Sequence, residues 1–137
     1  MIVMVDTAVI LDALLARTPF DVDALKIFAA SETGAIEGFV CATTITTIHY
    51  FARKAVGQSE SIRQIKKLLA LFRIASVTPG VLGTALDCGF PDFEDSVLHA
   101  SAVAVGAHGI VTRSPRDFNA ASISIFEPQQ LVAHLKL

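Results

Sequence analysis

The sequence has no tryptophan, one tyrosine and only two cysteines among its 137 residues. So few large aromatic side chains argue against a platform on which single-stranded bases stack. The cysteines, Cys41 and Cys88, lie in apolar surroundings without CxxC spacing, which predicts buried free thiols in a reducing compartment. At this length a hydrophobic core can hold the fold without disulfides or a structural metal.

Charge is scarce as well, since Asp, Glu, Lys and Arg make up 18% of the chain and the net charge is −2. This composition excludes disorder and gives no overall attraction for nucleic acid, so an RNA contact needs a local basic patch. Asp6 and Asp12 interrupt the apolar N-terminus, which also lacks the basic start of a signal peptide. No run is apolar enough to cross a bilayer. We expect one cytoplasmic domain over residues 1–137 with no membrane association.

Several motifs are missing. The chain contains neither GxGxxG nor GxxxxGK[ST], which removes support for nucleotide binding of those kinds. It has no GxSxG elbow, and no histidine has a second one four residues later. A flavodoxin-like small-molecule binder of similar architecture stays open as a weak alternative, and the missing phosphate-binding loop counts against it.

Short apolar runs alternate with segments of helical periodicity. Strands are predicted at 2–5, 38–42, 74–77, 110–112 and 122–126, and helices at 7–18, 21–31, 43–56, 59–73, 79–88, 92–106 and 128–135. This alternation predicts an α/β fold, a three-layer α/β/α sandwich around a central, mostly parallel sheet.

Two helices of this scheme depend on periodicity. The β-branched residues 43–47 favour a strand by propensity. Ile45, Ile48 and Phe51 recur at helical spacing, however, and Gly57 supplies a stop, so we favour a helix. The following helix is predicted to bury one apolar stripe, formed by Ile62, Ile65, Leu68, Leu69 and Phe72. The two helices would form a hairpin.

Carboxylates occur where parallel strands end. Asp6 directly follows the first strand, Asp95 lies in the first turn of the helix at 92–106, and Asp117 follows the fourth strand. Such positions converge at one edge of an open sheet. Three oxygen ligands of this kind can hold Mg²⁺ or Mn²⁺, and Asp92 shares a helix face with Asp95. The structural alternative is that these acids cap helices and interact with the helix dipole.

Basic residues stand near the same elements. Arg113 and Arg116 flank Asp117, and Arg53 and Lys54 lie on the predicted hairpin, followed by Arg63, Lys66 and Lys67. They can grip a phosphate backbone if the hairpin overhangs the acids. An ordinary solvated helix face explains the hairpin residues equally well. Arg113 and Arg116 are the better candidates for phosphate contacts.

Three segments together resemble a known family. The sequences VMVDTAVILDALL, DFEDSVLHASAVAVGAHGIVTR and TRSPRDF look like those of a PIN domain, most closely the bacterial VapC-type toxin branch. The resemblance spans nearly the whole chain. It implies a three-layer sandwich, Mg²⁺- or Mn²⁺-dependent endoribonuclease activity through a metal-activated water, homodimers, RNA as substrate and an antitoxin encoded alongside.

The resemblance also assigns residues. Asp6, Asp95 and Asp117 match the catalytic, metal-binding acids of the family, and Ser114 matches a position that hydrogen-bonds a metal-bound water. The departure is in ATTITTIHYFARK, where Thr47 stands at the position of the usual glutamate. Asp92 can partly compensate if it turns inward. The alternative function is therefore a catalytically degenerate PIN domain that binds RNA or a protein.

Overall fold

The computed structural model describes residues 1–137 and contains one five-stranded sheet. The strands are β1 (Ile2–Val5), β2 (Glu37–Cys41), β3 (Arg73–Ala75), β4 (Gly109–Val111) and β5 (Ser124–Phe126). Their order across the sheet is β3-β2-β1-β4-β5, and every neighbouring pair is parallel. The sequence predicted a mostly parallel sheet, and the observed sheet is parallel throughout.

Seven α-helices and one short 3₁₀ helix connect these strands. The α-helices are α1 (Thr7–Leu14), α2 (Asp21–Thr33), α3 (Ala42–Val56), α4 (Gln58–Leu71), α5 (Pro79–Leu86), α6 (Phe93–Ala104) and α7 (Pro128–Leu135), and the 3₁₀ helix is Pro115–Phe118. They cover both faces of the sheet, which confirms the predicted three-layer α/β/α architecture. None of the helices combines the length and the hydropathy that crossing a membrane requires.

The central strand β1 is buried on both faces, because helices pack above and below it. Val3 and Val5 belong to one apolar cluster, which includes residues of α1, α2 and α7. Met4 points to the opposite side and joins a second cluster with residues of α5 and α6. This two-sided burial explains why the run is uniformly apolar instead of alternating.

The ambiguous segment at 43–55 is helical, as the spacing of its apolar residues predicted. It forms most of α3, which buries Thr44, Ile48 and Ala52 and ends at Gly57. Here tertiary packing of an apolar face outweighs the β propensity of the four threonines. Two strands are shorter than predicted. β3 covers 73–75 instead of 74–77, and β5 covers 124–126 instead of 122–126.

The predicted apolar stripe of α4 is wrong in two of its five residues. Leu68 and Phe72 are buried, but Ile62 and Leu69 are 39% and 49% exposed. The face that α4 turns inward instead includes the buried hydroxyl residue Ser61. Ile62 and Leu69 are seven residues apart and so share one line along the helix, which faces away from the core. Likewise, Cys41 is buried as predicted, whereas the free thiol of Cys88 is only half-buried.

Strand register brings the candidate site together. Val5 of β1 pairs with Val111 of β4, so Asp6 and Thr112 follow their strands side by side. The Asp6 amide also donates to the Val111 carbonyl at 3.0 Å. The carboxyl edge of the sheet is thereby fixed at the point where α1 begins, as expected for sites in open α/β sheets.

Gly38 in β2 is a position where only glycine fits. A Cβ atom there would lie 2.6 Å from Ser31 Oγ and 2.7 Å from the Phe72 ring. We expect Gly38→Ala to destabilise the protein by about 1–3 kcal/mol through overpacking. The matched control is Gly83→Ala in α5, where nothing lies within 4 Å and alanine should stabilise the helix by about 0.5–1 kcal/mol. Equal urea unfolding midpoints for the two variants would contradict the assignment.

Candidate active site

Asp6 lies at the junction of β1 and α1 and both caps the helix and faces a cavity. Its backbone is extended, and Oδ1 accepts a hydrogen bond from the Thr7 amide at 2.8 Å. Oδ2 accepts from the Thr112 hydroxyl at 2.7 Å. The capping role considered from the sequence is therefore real. It also fixes the carboxylate at the edge of the sheet.

Thr112 connects Asp6 to the loop that carries Asp117. Its fully buried hydroxyl donates to Asp6 and accepts from the Ser114 amide at 3.0 Å. The Ser114 carbonyl accepts from the Asp117 amide, also at 3.0 Å. A continuous line of hydrogen bonds thus sets the path of the chain from the first acid to the 3₁₀ helix. In this line Ser114 acts through its backbone.

The start of α6 supplies a second group of acids. Asp92 is the N-cap of α6, and its Oδ1 accepts from the Asp95 amide at 3.1 Å. Glu94 and Asp95 follow in the first turn. The capping interpretation thus holds for Asp92. Capping does not remove the three acids from the site, because all of them line the same cavity as Asp6.

This acidic cavity has a volume of about 390 Å³. Its lining consists of Asp6, Thr7, Ala8, Leu11, Arg17, Thr47, Phe51, Asp92, Glu94 and Asp95. Four of these ten residues are acids and one is basic. Thr47 and Phe51 form the α3 side of the wall. Thr47 therefore lines the same cavity as the four acids but carries no charge there.

Burial and nearby negative charge raise the pKa values of Asp6, Glu94 and Asp95. Burial is the main cause for Asp95, whose pKa is raised to about 7, and the charges of Asp6, Asp92, Asp117 and Glu94 add to it. Burial also raises the pKa of Asp6, against the hydrogen bonds from Thr112 and Thr7, which lower it. The pKa of Glu94 is raised by burial and then by Asp92 and Asp6. A first-turn acid would ordinarily be stabilised by the helix dipole, so burial together with the neighbouring negative charges outweighs the dipole here.

Asp117 lies at the margin of this group. It is exposed on the 3₁₀ helix and does not line the acidic cavity, but its charge raises the pKa of both Asp6 and Asp95. The neighbouring Phe118 is buried and packs against Phe90 with ring centroids 5.8 Å apart. This aromatic anchor holds the 3₁₀ helix, and with it Asp117, next to the sheet edge.

The donor set fits a divalent cation in its chemistry. Carboxylate oxygens are hard ligands, and four acids against one arginine give the cavity an excess of negative charge. No three His, Cys, Asp or Glu side chains, however, stand where they would together hold a metal ion. Mg²⁺ does not require three such ligands, because it binds through one or two carboxylates and keeps several waters. Asp6 and Asp95 are the residues that would hold it.

A buried ion pair stands beside the acidic cavity. Asp12 in α1 is fully buried, and Arg113 donates to both of its oxygens, from Nε at 2.6 Å and from Nη2 at 3.1 Å. Arg17 Nη1 lies 3.7 Å from Asp12 Oδ1. The Arg113 guanidinium is also 4.1 Å from the centroid of the Phe20 ring. We call Asp12, Arg17 and Arg113 the Asp12 cluster.

The other basic candidates are exposed. Arg116 lies on the 3₁₀ helix beside Asp117, and Arg53 and Lys54 lie in the last turns of α3. Lys54 donates to the Tyr50 hydroxyl at 3.2 Å and sits 5.0 Å from its ring centroid. Arg53 and Arg116 have no ion-pair partner, so their charges are available to a ligand. Arg113, in contrast, is committed to Asp12 and Phe20.

Sequence reasoning missed four residues of this region: Thr112, Asp12, Arg17 and Glu94. Asp12 offered a signal, because an acid inside an otherwise apolar helical run must find a partner when it is buried. Thr112 offered none, since a threonine ending a β-branched strand is ordinary. Arg17 lies in the turn after α1, and the spacing of apolar residues does not predict where the side chains of a turn point.

Asp95 makes stability depend on pH. Its folded-state pKa of about 7 lies above the ordinary value of 3.8, so the folded protein binds the proton more tightly. The stability this contributes is present below about pH 4 and is lost as the pH rises through 7. Partial exposure screens the effect. In EDTA, Asp95→Asn should match the wild type near pH 4 and melt a few degrees higher at pH 8. If Asp95→Asn melted at a lower temperature than the wild type at pH 8, the inference that the Asp95 carboxylate destabilises the folded protein there would be contradicted.

Two comparisons place the chain among known proteins. The family model of the PIN domain matches residues 2–115. No curated protein sequence matches significantly. Among solved structures, VapBC2 from Rickettsia felis, bound to a DNA fragment from their promoter, superposes with a TM-score of 0.73 at 12% identity, over 93% of this chain and 98% of the other.

Two further structures are similar. FitAcB from Neisseria gonorrhoeae has a TM-score of 0.69 at 17% identity, over 93% of this chain and 98% of the other. VapC20 of Mycobacterium tuberculosis, a sarcin-ricin loop cleaving toxin, has a TM-score of 0.65 at 14% identity, over 79% and 86%. At such identities the superpositions establish the fold, and the family match extends from β1 into the 3₁₀ helix. This chain belongs to the PIN-domain family.

Proposed function

We propose that the protein is a metal-dependent endoribonuclease of the VapC-like toxin–antitoxin type. The observation that carries this proposal is the acidic cavity, which brings Asp6, Asp92, Glu94 and Asp95 together at one edge of the sheet and in which burial, with neighbouring acids, raises the pKa values of Asp6, Glu94 and Asp95. Asp6 and Asp92 also cap helices, but capping does not account for Glu94 and Asp95. They suit a site that binds a divalent cation and a phosphodiester.

Within this proposal Asp6 and Asp95 hold Mg²⁺ or Mn²⁺. When bound, the ion supplies positive charge at the scissile phosphate and lowers the pKa of a water. Thr112 holds the Asp6 carboxylate in one orientation through its hydroxyl. Asp117 and Asp92 add negative charge around the cavity, and we assign to the exposed hydroxyl of Ser114 a hydrogen bond to a metal-bound water.

RNA contacts come from the exposed basic residues near the edge of the sheet. Arg116 stands on the 3₁₀ helix beside Asp117, while Arg53 and Lys54 extend from α3, whose side chains Thr47 and Phe51 line the acidic cavity. Because the net charge is −2, this local basic group is what can hold a phosphate backbone. Arg113 belongs to the same region, but its donors already serve Asp12.

The similar structures suggest partners. VapBC2 and FitAcB are two-component assemblies by name, and VapC20 is described as cleaving a sarcin-ricin loop. We propose by analogy that this chain has a cognate antitoxin, an RNA substrate and a cytoplasmic location. We also propose a homodimer. Exposed large apolar side chains, which include Tyr50, Ile62, Leu69, Leu82 and Leu86, leave surface for both partners.

One observation favours a second function. Thr47 occupies the α3 wall of the acidic cavity and offers no carboxylate there. A site with one acid fewer binds a cation more weakly. The alternative is therefore a catalytically degenerate PIN domain that keeps the fold and binds RNA or a protein without cutting.

Cleavage separates these two functions. We expect purified protein to cut a mixed cellular RNA pool with Mg²⁺ or Mn²⁺, and Asp95→Asn to lose this activity by at least about a hundredfold, as the loss of an essential group does. Asp87→Asn, at an exposed aspartate at the end of α5, is the matched control and should cut like the wild type. Folded protein that leaves RNA intact with both metals would overturn the nuclease proposal and support the binding module.

A carboxylate at position 47 should strengthen the site. Thr47→Glu adds a hard oxygen ligand facing Asp6 and Asp95, so we expect tighter Mn²⁺ binding by calorimetry and a larger rise in melting temperature on adding Mn²⁺. Thr46→Glu adds the same charge one residue away, outside the acidic cavity, and should change neither quantity. If both variants respond equally, the effect is one of net charge, and Thr47 is not at the ligand position.

A further inference from the structure

Arg17 is the one basic residue among the ten that line the acidic cavity. It makes no ion pair with Asp6, Asp92, Glu94 or Asp95, and its only charged partner is Asp12. A cation that faces four acids without pairing to any of them is held back from them by something else. In this structure that constraint is the Asp12 cluster.

The constraint acts on both the backbone and the side chain of Arg17. Its amide donates to the Asp12 carbonyl at 3.0 Å, and its carbonyl accepts from the Asp21 amide at 2.9 Å. The guanidinium lies 3.7 Å from Asp12 Oδ1, beyond hydrogen-bond length. The residue is therefore fixed in place, while its N–H donors remain unshared.

The two arginines of the Asp12 cluster are not equivalent. Arg113 uses Nε and Nη2 on the two oxygens of Asp12 and stacks on Phe20, and its side chain is 30% exposed. Arg17 makes only the longer contact and is 38% exposed. Since Asp12 is already satisfied by the bidentate pair, it orients Arg17 without consuming its donors. Planar guanidinium donors match the oxygens of a phosphate.

We propose that Arg17 contacts a phosphate of the RNA at the acidic cavity, as a substrate-binding residue held in position by Asp12. This inference rests on the proposed function and deepens it. It assigns to Arg17 the phosphate contact beside the acids that the sequence alone pointed to in Arg113. The arrangement places one fixed cation in the lining of the cavity that also contains Thr47 and Phe51.

The test is the salt dependence of RNA binding. Full-length wild type, Arg17→Gln and Arg17→Lys are titrated with a short fluorescein-labelled single-stranded RNA in EDTA, so that binding is measured without turnover, between about 50 and 200 mM KCl. Arg73→Gln is the matched control, because Arg73 pairs with Glu37 at the opposite end of the strands. Melting temperatures confirm that each variant is folded.

We expect Arg17→Gln to bind RNA several-fold more weakly and to lower the slope of log K against log salt by about 0.7, the value for one phosphate contact on a single strand. Arg17→Lys keeps the charge and should keep the slope. Arg73→Gln should behave like the wild type. Three outcomes would overturn the inference. The slope of Arg17→Gln could equal that of the wild type, Arg17→Gln and Arg73→Gln could lose RNA affinity equally, or the wild type could fail to bind RNA.

The cleavage assay described above keeps the two proposals separate. A wild type that cuts RNA while Arg17→Gln shows the wild-type slope refutes the role of Arg17 and leaves the nuclease standing. If the wild type binds RNA without cutting it, and Arg17→Gln lowers the salt slope by about 0.7, Arg17 is supported as a phosphate contact in an RNA-binding module.

Discussion

The main constraint on the site is that several carboxylates are held in one partly buried cavity, where they repel one another. Asp6 is fixed by the end of β1, and Asp95 by the first turn of α6, so neither can move away without disrupting an element of the core. Burial raises both pKa values; the charge of Asp6 adds to the rise at Asp95, and the charge of Asp117 adds to the rise at both residues. Two partners can relieve such a state, a proton or a cation. Protonation is thereby linked to stability, and the proposed metal binding would be linked to both.

The sheet enforces this arrangement, and the apolar sequence enforces the sheet. β1 lies at the centre of the strand order and is buried on both faces, so Asp6 must emerge at its carboxyl end. β4 pairs with it in register and delivers Thr112 to the same edge. The hydroxyl of Thr112 then joins the acid of one element to the loop of another. Rigid strands position the ligands more accurately than loops could, and only Asp117 depends on a short 3₁₀ helix anchored by Phe118.

The sequence predicted elements well where the spacing of apolar residues matches their burial, and poorly where a contact joins residues far apart in the chain. The run Ile2–Val5 and the spacing of Ile45 and Ile48 predicted β1 and α3, because each depends on local pattern and on burial. The predicted buried stripe of α4 was too wide, because the spacing of apolar residues marks apolar faces of a helix but does not tell which face packs against the core. The bond between Arg113 and Asp12 joins residues about one hundred positions apart. A single sequence contains no signal for that pairing, so Arg113 could be predicted as a phosphate ligand but not as the partner of a buried acid.

The Asp12 cluster explains how a chain with so few charges can place a cation beside acids. A guanidinium near Asp6 and Asp95 would ordinarily pair with them and neutralise the site. Asp12 prevents this by offering a buried counter-charge of its own, and Arg113 keeps that counter-charge fixed. Breaking a buried pair typically costs about 3–5 kcal/mol, so the cluster is stable enough to act as a support. The cavity lining thus combines an uncharged residue, Thr47, with an arginine whose position depends on Asp12.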